Sequence, residues 1–146
     1  MASKQGNGGN IRQRYYIEAG NFATAGEAAS NIKKLLKQLG IDGATVRRAA
    51  IAAYEAEMNL VIHSLGGSLE LIVNPELITI IAEDQGPGIE DIEKAMQEGF
   101  STASEHAREL GFGAGMGLPN IKRCSDEFDI QSEVGKGTRL EITFIL

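Results

Sequence analysis

Most of the eighteen glycines in this 146-residue chain are clustered, and the clusters punctuate apolar runs too short for anything but a compact alternation of elements and tight turns. Asp84-Gln-Gly86-Pro-Gly88 follows the apolar run Leu77–Ala82. Gly111-Phe-Gly113-Ala-Gly115-Met-Gly117 runs straight into the helical pattern Leu118-Pro119-Asn120-Ile121-Lys122-Arg123, and Gly135-Lys-Gly137 separates two strand-like runs. A fourth motif, Glu55-Ala-Glu-Met-Asn59, precedes them on a stretch of small apolar residues that Gly66-Gly67 ends.

The elements between these turns follow from hydrophobic periodicity. Ile11 to Glu18 reads as a strand at a sheet edge. From Asn21, residues Phe22, Ala25, Ala28, Ala29, Ile32, Leu35, Leu36 and Leu39 fall at helical spacing up to Gly40. Thr45 to Ser64 reads as a second, largely buried helix. Ser68–Val73 and Leu77–Glu83 form a hairpin about Asn74-Pro75-Glu76, and Phe128–Glu133 and Thr138–Ile145 a second about Gly135-Lys-Gly137. Between the hairpins lie a predicted short helix from Ile89 to Gln97, a glycine-bounded loop from Glu98 to Phe112 and a helix from Met116 to Ser125. Residues 1–10, polar and carrying three glycines, read as a disordered tail, which leaves 11–146 as one domain. Hairpins without a regular βαβ alternation fit an α+β two-layer sandwich: a mixed, mostly antiparallel sheet covered on one face by helices.

A net charge of −6 and a pI near 5.0 supply no cationic surplus for nucleic acid or a membrane surface. A lone cysteine, Cys124, excludes an internal disulfide and fits a reducing cytoplasm, and no apolar run approaches a membrane span. The expectation is a cytoplasmic protein whose partners are a metal-masked nucleotide and other proteins.

Three of the motifs carry chemistry. Glu55 and Asn59, four residues apart, share one helical face with Ile51 and Ile62. Read alone they are a solvated polar stripe. Read as a site, the Asn59 amide oxygen suits Mg2+, a hard cation that takes few protein ligands when phosphates supply the rest, and Glu55 accepts or aligns the proton of an attacking hydroxyl. Asp84 stands where a strand ends; alone the segment is a turn, but a carboxylate there can accept from the exocyclic amine of adenine while Gly86 and Gly88 let the base approach the backbone. Gly113, Gly115 and Gly117 open a helix whose free N–H groups and dipole favour phosphate, against the alternative of a flexible linker. The lysine and hydroxyl of a Walker loop are missing, and a loop, not a strand, precedes the run. The stretch from Gly99 to Leu110 would then be a lid, with Arg108 either a γ-phosphate contact or simply exposed. His63 and His106 read as satisfied or solvated histidines.

In this order the motifs resemble the N, G1 and G2 boxes of the gyrase, histidine kinase and MutL (GHKL) ATPase superfamily. Within it the chain is similar to the anti-sigma-factor serine kinases, and Glu98-Gly-Phe-Ser-Thr-Ala together with Gly117-Leu-Pro-Asn-Ile-Lys-Arg-Cys-Ser-Asp-Glu-Phe-Asp-Ile resembles the switch kinases of bacterial stressosomes. The resemblance covers roughly residues 12–144 and implies a Bergerat-type sandwich binding Mg-ATP, with Glu55 as catalytic base, Asn59 as Mg2+ ligand and Asp84 as adenine reader. It further implies that Gly86, Gly88, Gly113, Gly115, Gly117 and Leu118 line the pocket and that Thr138 lies near the adenine. The charged stretch Glu105-His-Ala-Arg-Glu109 is longer than the short lid the family implies.

The function implied is serine/threonine phosphorylation of a STAS-domain antagonist in a stress or sigma-factor partner-switching pathway, followed by activation of a PP2C-type phosphatase. The alternative is an anti-sigma factor that sequesters a sigma factor and uses the same kinase activity to control release. A detached histidine-kinase catalytic domain ranks below both, since neither a phosphoacceptor helix nor a second domain is expected here.

Overall fold

Apolar side chains at alternate positions of three strands fix the architecture. Leu69, Leu71 and Val73, then Ile78, Ile80 and Ala82, then Leu140, Ile142 and Phe144 are all buried, while their sequence neighbours point to the other face. A sheet so patterned needs a cover on one side, and amphipathic helices supply it. The computed structural model describes residues 3–4, 10–86, 92, 96 and 117–146. Its elements run β1 (Ser3–Lys4), β2 (Ile11–Ile17), α1 (Glu27–Gln38), α2 (Gly43–His63), β3 (Gly67–Val73), β4 (Leu77–Asp84), α3 (Gly117–Cys124), β5 (Glu127–Glu133) and β6 (Gly137–Ile145).

The strands form one sheet in the order β1-β2-β3-β4-β6-β5. Every pairing among the described strands is antiparallel, so no parallel ladder of the expected mixed sheet occurs among them. β2 stands at the edge as the sequence predicts, except that β1, inside the stretch expected to be a tail, pairs with Ile11 and Arg12. On the face away from the helices Glu70 is buried beneath Arg12 and Arg14, whose guanidinium groups stand 3.7 and 3.4 Å from its carboxylate.

α2 is the central helix of the cover. Ala49, Ala52, Ala53 and Ala56 are fully buried, and side chains this small let α1 and α3 pack closely against it. From α1 it receives Ile32 and Leu36, from α3 Ile121, all fully buried. Asp42 caps its first turn by accepting the Thr45 N–H at 3.1 Å, which starts the helix two residues before the predicted Thr45. At its end Ser64 Oγ donates to the Leu60 carbonyl, and the short connection through Gly66 leads into β3.

The start of α1 differs from the sequence expectation. The helix begins at Glu27, six residues after Asn21, although Phe22 and Ala25 have the right spacing. Asn21 Oδ1 accepts the Thr24 N–H in a local turn, and Gly26 takes a φ of 98°, outside the helical region. The cap that fixes the new start comes from Glu57, 31 residues ahead of Gly26. The predicted helix from Ile89 to Gln97 lies outside the described residues apart from Ile92 and Met96, where the Met96 N–H donates to the Ile92 carbonyl at 3.0 Å. The predicted loop from Glu98 to Phe112 lies outside them altogether.

Candidate active site

The motifs meet at one end of the sandwich. α2 leads through residues 64–66 into β3, so its C-terminal half lies over the end of the sheet where β3 and β6 begin and β4 finishes. On its α3 side stand Glu55 and Asn59, both half-buried. Asn120 of α3 donates from Nδ2 to Glu55 Oε2 at 2.8 Å, and Arg123 donates from Nη1 to Asn120 Oδ1 at 3.2 Å. Gly117, the first residue of α3, lies against Asn59: a Cβ added there would stand 3.3 Å from Asn59 Oδ1. Glycine at 117 thus lets the start of α3 approach the amide oxygen that the sequence nominates for Mg2+.

Glu57 belongs to the same motif and does something else. It is 2% exposed, and its carboxylate accepts from the N–H groups of Gly26 at 2.9 Å, Ala28 at 3.3 Å and Ala29 at 2.9 Å. Three of the N–H groups that begin α1 are thereby satisfied by a charge placed at the positive end of its dipole. The two acids are two positions apart, about 200° around the helix, so they cannot share a face. That spacing was the available sign that Glu57 serves a different neighbour.

At the end of β4, Asp84 is held by its surroundings more than by its own turn. Its Oδ1 accepts the Thr138 N–H at 3.0 Å. Burial pushes its carboxyl above the ordinary value, and the Thr138 bond pulls against that rise. Two glycines, neither singled out from the sequence for this, clamp its backbone. A Cβ at Gly67 would collide with the Glu83 carbonyl and one at Gly137 with the Asp84 carbonyl, so both strands approach the end of β4 closer than any side chain allows. Gly86 follows with a φ of 33° and donates its N–H to the Lys136 carbonyl at 3.0 Å, joining the turn after β4 to the turn between β5 and β6. Thr138 turns its hydroxyl to Ser132, 2.8 Å away.

Of the ten residues nominated from the sequence, Glu55, Asn59, Asp84, Gly86, Gly117, Leu118 and Thr138 are described, whereas Gly88, Gly113 and Gly115 lie outside the described residues, as do His106 and Arg108. Glu55, Asn59 and Gly117 are brought together on one side, and Asp84, Gly86 and Thr138 on the other. Leu118 packs into the core at 8% exposure. His63 is half-buried, and that desolvation pushes its imidazole below the ordinary value. Cys124 packs half-buried beside the core, in keeping with a small apolar residue. Among the described residues no group of three or more His, Cys, Asp or Glu could hold a metal ion by itself. No helix of the described structure is long and apolar enough to cross a membrane.

Comparison with known proteins accords with this arrangement. The model of the histidine kinase-, DNA gyrase B-, and HSP90-like ATPase family matches residues 44–146. The serine/threonine-protein kinase RsbT of Bacillus subtilis is 36% identical over 113 residues, 75% of this chain and 79% of that protein. An anti-sigma F factor of a Thermoanaerobacter species is 39% identical over 97 residues, 63% of this chain and 64% of that protein, and that of Geobacillus stearothermophilus 34% over 90 residues, 58% of each.

Proposed function

Since this chain belongs to the histidine kinase-, DNA gyrase B- and HSP90-like ATPase family, we propose that it phosphorylates a STAS-domain antagonist protein in a bacterial partner-switching pathway and then activates a PP2C-type phosphatase. It is an ATP-dependent protein serine/threonine kinase, in keeping with its 36% identity to RsbT over most of both chains. The observation that carries the reading is the convergence of the Glu55–Asn59 pair, the glycine start of α3 and the clamped Asp84 at one end of the sheet.

In this reading Asp84 takes the exocyclic amine of adenine on the oxygen that Thr138 leaves free, and Gly86, with Gly88, gives the base room beside the backbone. Gly113, Gly115 and Gly117 present N–H groups to the phosphates. Asn59 would be the protein ligand of Mg2+, whose contribution when bound is to offset the charge of the phosphate oxygens. Glu55 draws the proton from the serine or threonine hydroxyl as the acceptor oxygen bonds to the γ-phosphorus and the bridge to the β-phosphate breaks, leaving ADP. Thr138 supports the adenine end through Asp84, and Leu118 supports α3 from the core. A cytoplasmic location goes with this set of partners.

The 39% identity to an anti-sigma F factor favours a second reading, in which the protein sequesters a sigma factor and kinase activity governs its release. One experiment separates the two. Purified protein is incubated with Mg-ATP and a STAS-domain protein from the same genome, intact masses are read with and without Glu55→Gln, and bound sigma subunit is sought by co-purification. An acid-stable gain of one phosphate, lost in the variant and with no sigma subunit retained, is the expected result. A stable complex with a sigma subunit would overturn the first reading in favour of the second.

A further inference from the structure

We propose that Asn120 is a positioning residue for Glu55, fixing which carboxylate oxygen meets the acceptor hydroxyl; the proposal rests on the reading of Glu55 as the base. Neither the N-helix motif nor the glycine run includes Asn120, and it reaches Glu55 across 65 residues of sequence. The geometry leaves its amide one orientation. Arg123, one helical turn further along α3, can only donate, so Asn120 Oδ1 must face it, at 3.2 Å, and the NH2 group must face Glu55, at 2.8 Å. An arginine on the carbonyl side polarises the amide and strengthens the bond its nitrogen gives to a carboxylate.

Two consequences follow for Glu55. Its Oε2 is engaged by a donor, so the remaining oxygen, Oε1, is the one available to take a proton. Its side chain, otherwise free to sample several rotamers at a half-buried position, is tied to α3, the helix whose first residue lies against Asn59. Base and cation ligand are therefore both registered against the same eight-residue helix, so their mutual geometry is set by α3 as well as by their spacing on α2. A glutamate there without a partner would have the same chemistry and a looser aim.

The test has one readout on the protein alone and one on the reaction. In the 15N-labelled protein without nucleotide, one of the two Nδ2 protons of Asn120 is expected downfield of its position in a free amide, shifted by the carboxylate, and Glu55→Ala should return it there. An Asn120 signal unmoved by Glu55→Ala would overturn the proposal. For the reaction, Asn120→Ala is expected to lower the single-turnover rate of phosphate transfer from Mg-ATP to a STAS-domain protein by about tenfold to a hundredfold while ATP affinity, measured by calorimetry, stays within about twofold. Asn120→Asp, which sets a like charge against Glu55, should fall further. Unchanged transfer, or a parallel fall in ATP affinity, would reduce Asn120 to a surface or scaffold residue. Full transfer by Glu55→Gln, with the amide signal still answering to Glu55→Ala, would instead sink the base reading and leave the hydrogen bond standing.

Discussion

Glu57 and Glu55 stand two residues apart on α2, and the helix turns one toward α1 and the other toward α3. On the α1 side the carboxylate is buried and accepts from three backbone N–H groups, so it is closed off from a ligand. On the α3 side the carboxylate is half-buried, holds one amide donor and keeps an oxygen free. Identical side chains thus take up opposite tasks because of what each helix neighbour presents: a bare helix N-terminus on one side, a side-chain amide on the other. With Glu55 read as the proposed base, stability and function are separated across the width of a single helix.

Removing the carboxylate on each side should break different properties. Glu57→Ala leaves three backbone N–H groups at the start of α1 without an acceptor, each such loss amounting to about 1–3 kcal/mol at most; with water reaching part of the vacated space, a fall of about 3–5 kcal/mol in unfolding free energy is expected by denaturant titration. A loss below about 1 kcal/mol would erase the contrast between the two flanks. Glu55→Gln should behave conversely, slowing phosphate transfer by about a hundredfold or more while changing stability by no more than about 0.5 kcal/mol. Single-turnover phosphorylation and the same titration read both numbers on one sample.

Asp84 extends the comparison to a carboxylate in which the two properties conflict. Asp84→Asn offers adenine an amide that can present a donor to a donor, so nucleotide affinity should weaken by about 1–3 kcal/mol, roughly fivefold to 150-fold in Kd by calorimetry. Its effect on folding should be smaller and of opposite sign. Burial raises the Asp84 carboxyl above its ordinary 3.8, and a raised acid binds its proton more tightly folded than unfolded. Its contribution to stability is therefore present below 3.8 and lost as the pH rises through the folded value. The asparagine variant escapes that loss, so its midpoint of unfolding relative to wild type should climb across the carboxylate range and stay higher at neutral pH. A flat difference would place Asp84 in an environment no drier than water.

Much of the architecture was legible beforehand because its causes are local. Alternation in Leu69–Val73 and Leu140–Phe144, the Asn74-Pro75-Glu76 and Gly135-Lys-Gly137 turns, and the alanine-rich run of α2 each act over a few residues, and the described elements from β2 to β6 fall within two residues of their predicted bounds except at the start of α1, while β1 forms inside the stretch expected to be a tail. There the pattern of Phe22 and Ala25 was overridden by a cap that no local signal announces. The candidate site was legible in the same partial way. Glu55, Asn59 and Gly117 come together as their motifs imply, whereas Gly67 and Gly137 could be read only as turn glycines until the strands closing on Asp84 were placed.

The sequence by itself determined the kinds of element from β2 to β6, the two hairpins and the order of the motifs, since helix period, strand period and turn chemistry are properties of short windows of chain. Tertiary structure alone decided which acid meets which neighbour: Glu57 reaches back 31 residues to Gly26, Asp84 receives Thr138 from 54 residues on, and Asn120 reaches Glu55 across 65. Hydrogen-bond partners at such separations are set by the packing of α1 and α3 on either side of α2 and by the strand order, and a short polar side chain carries no mark of the neighbour that packing will bring to it.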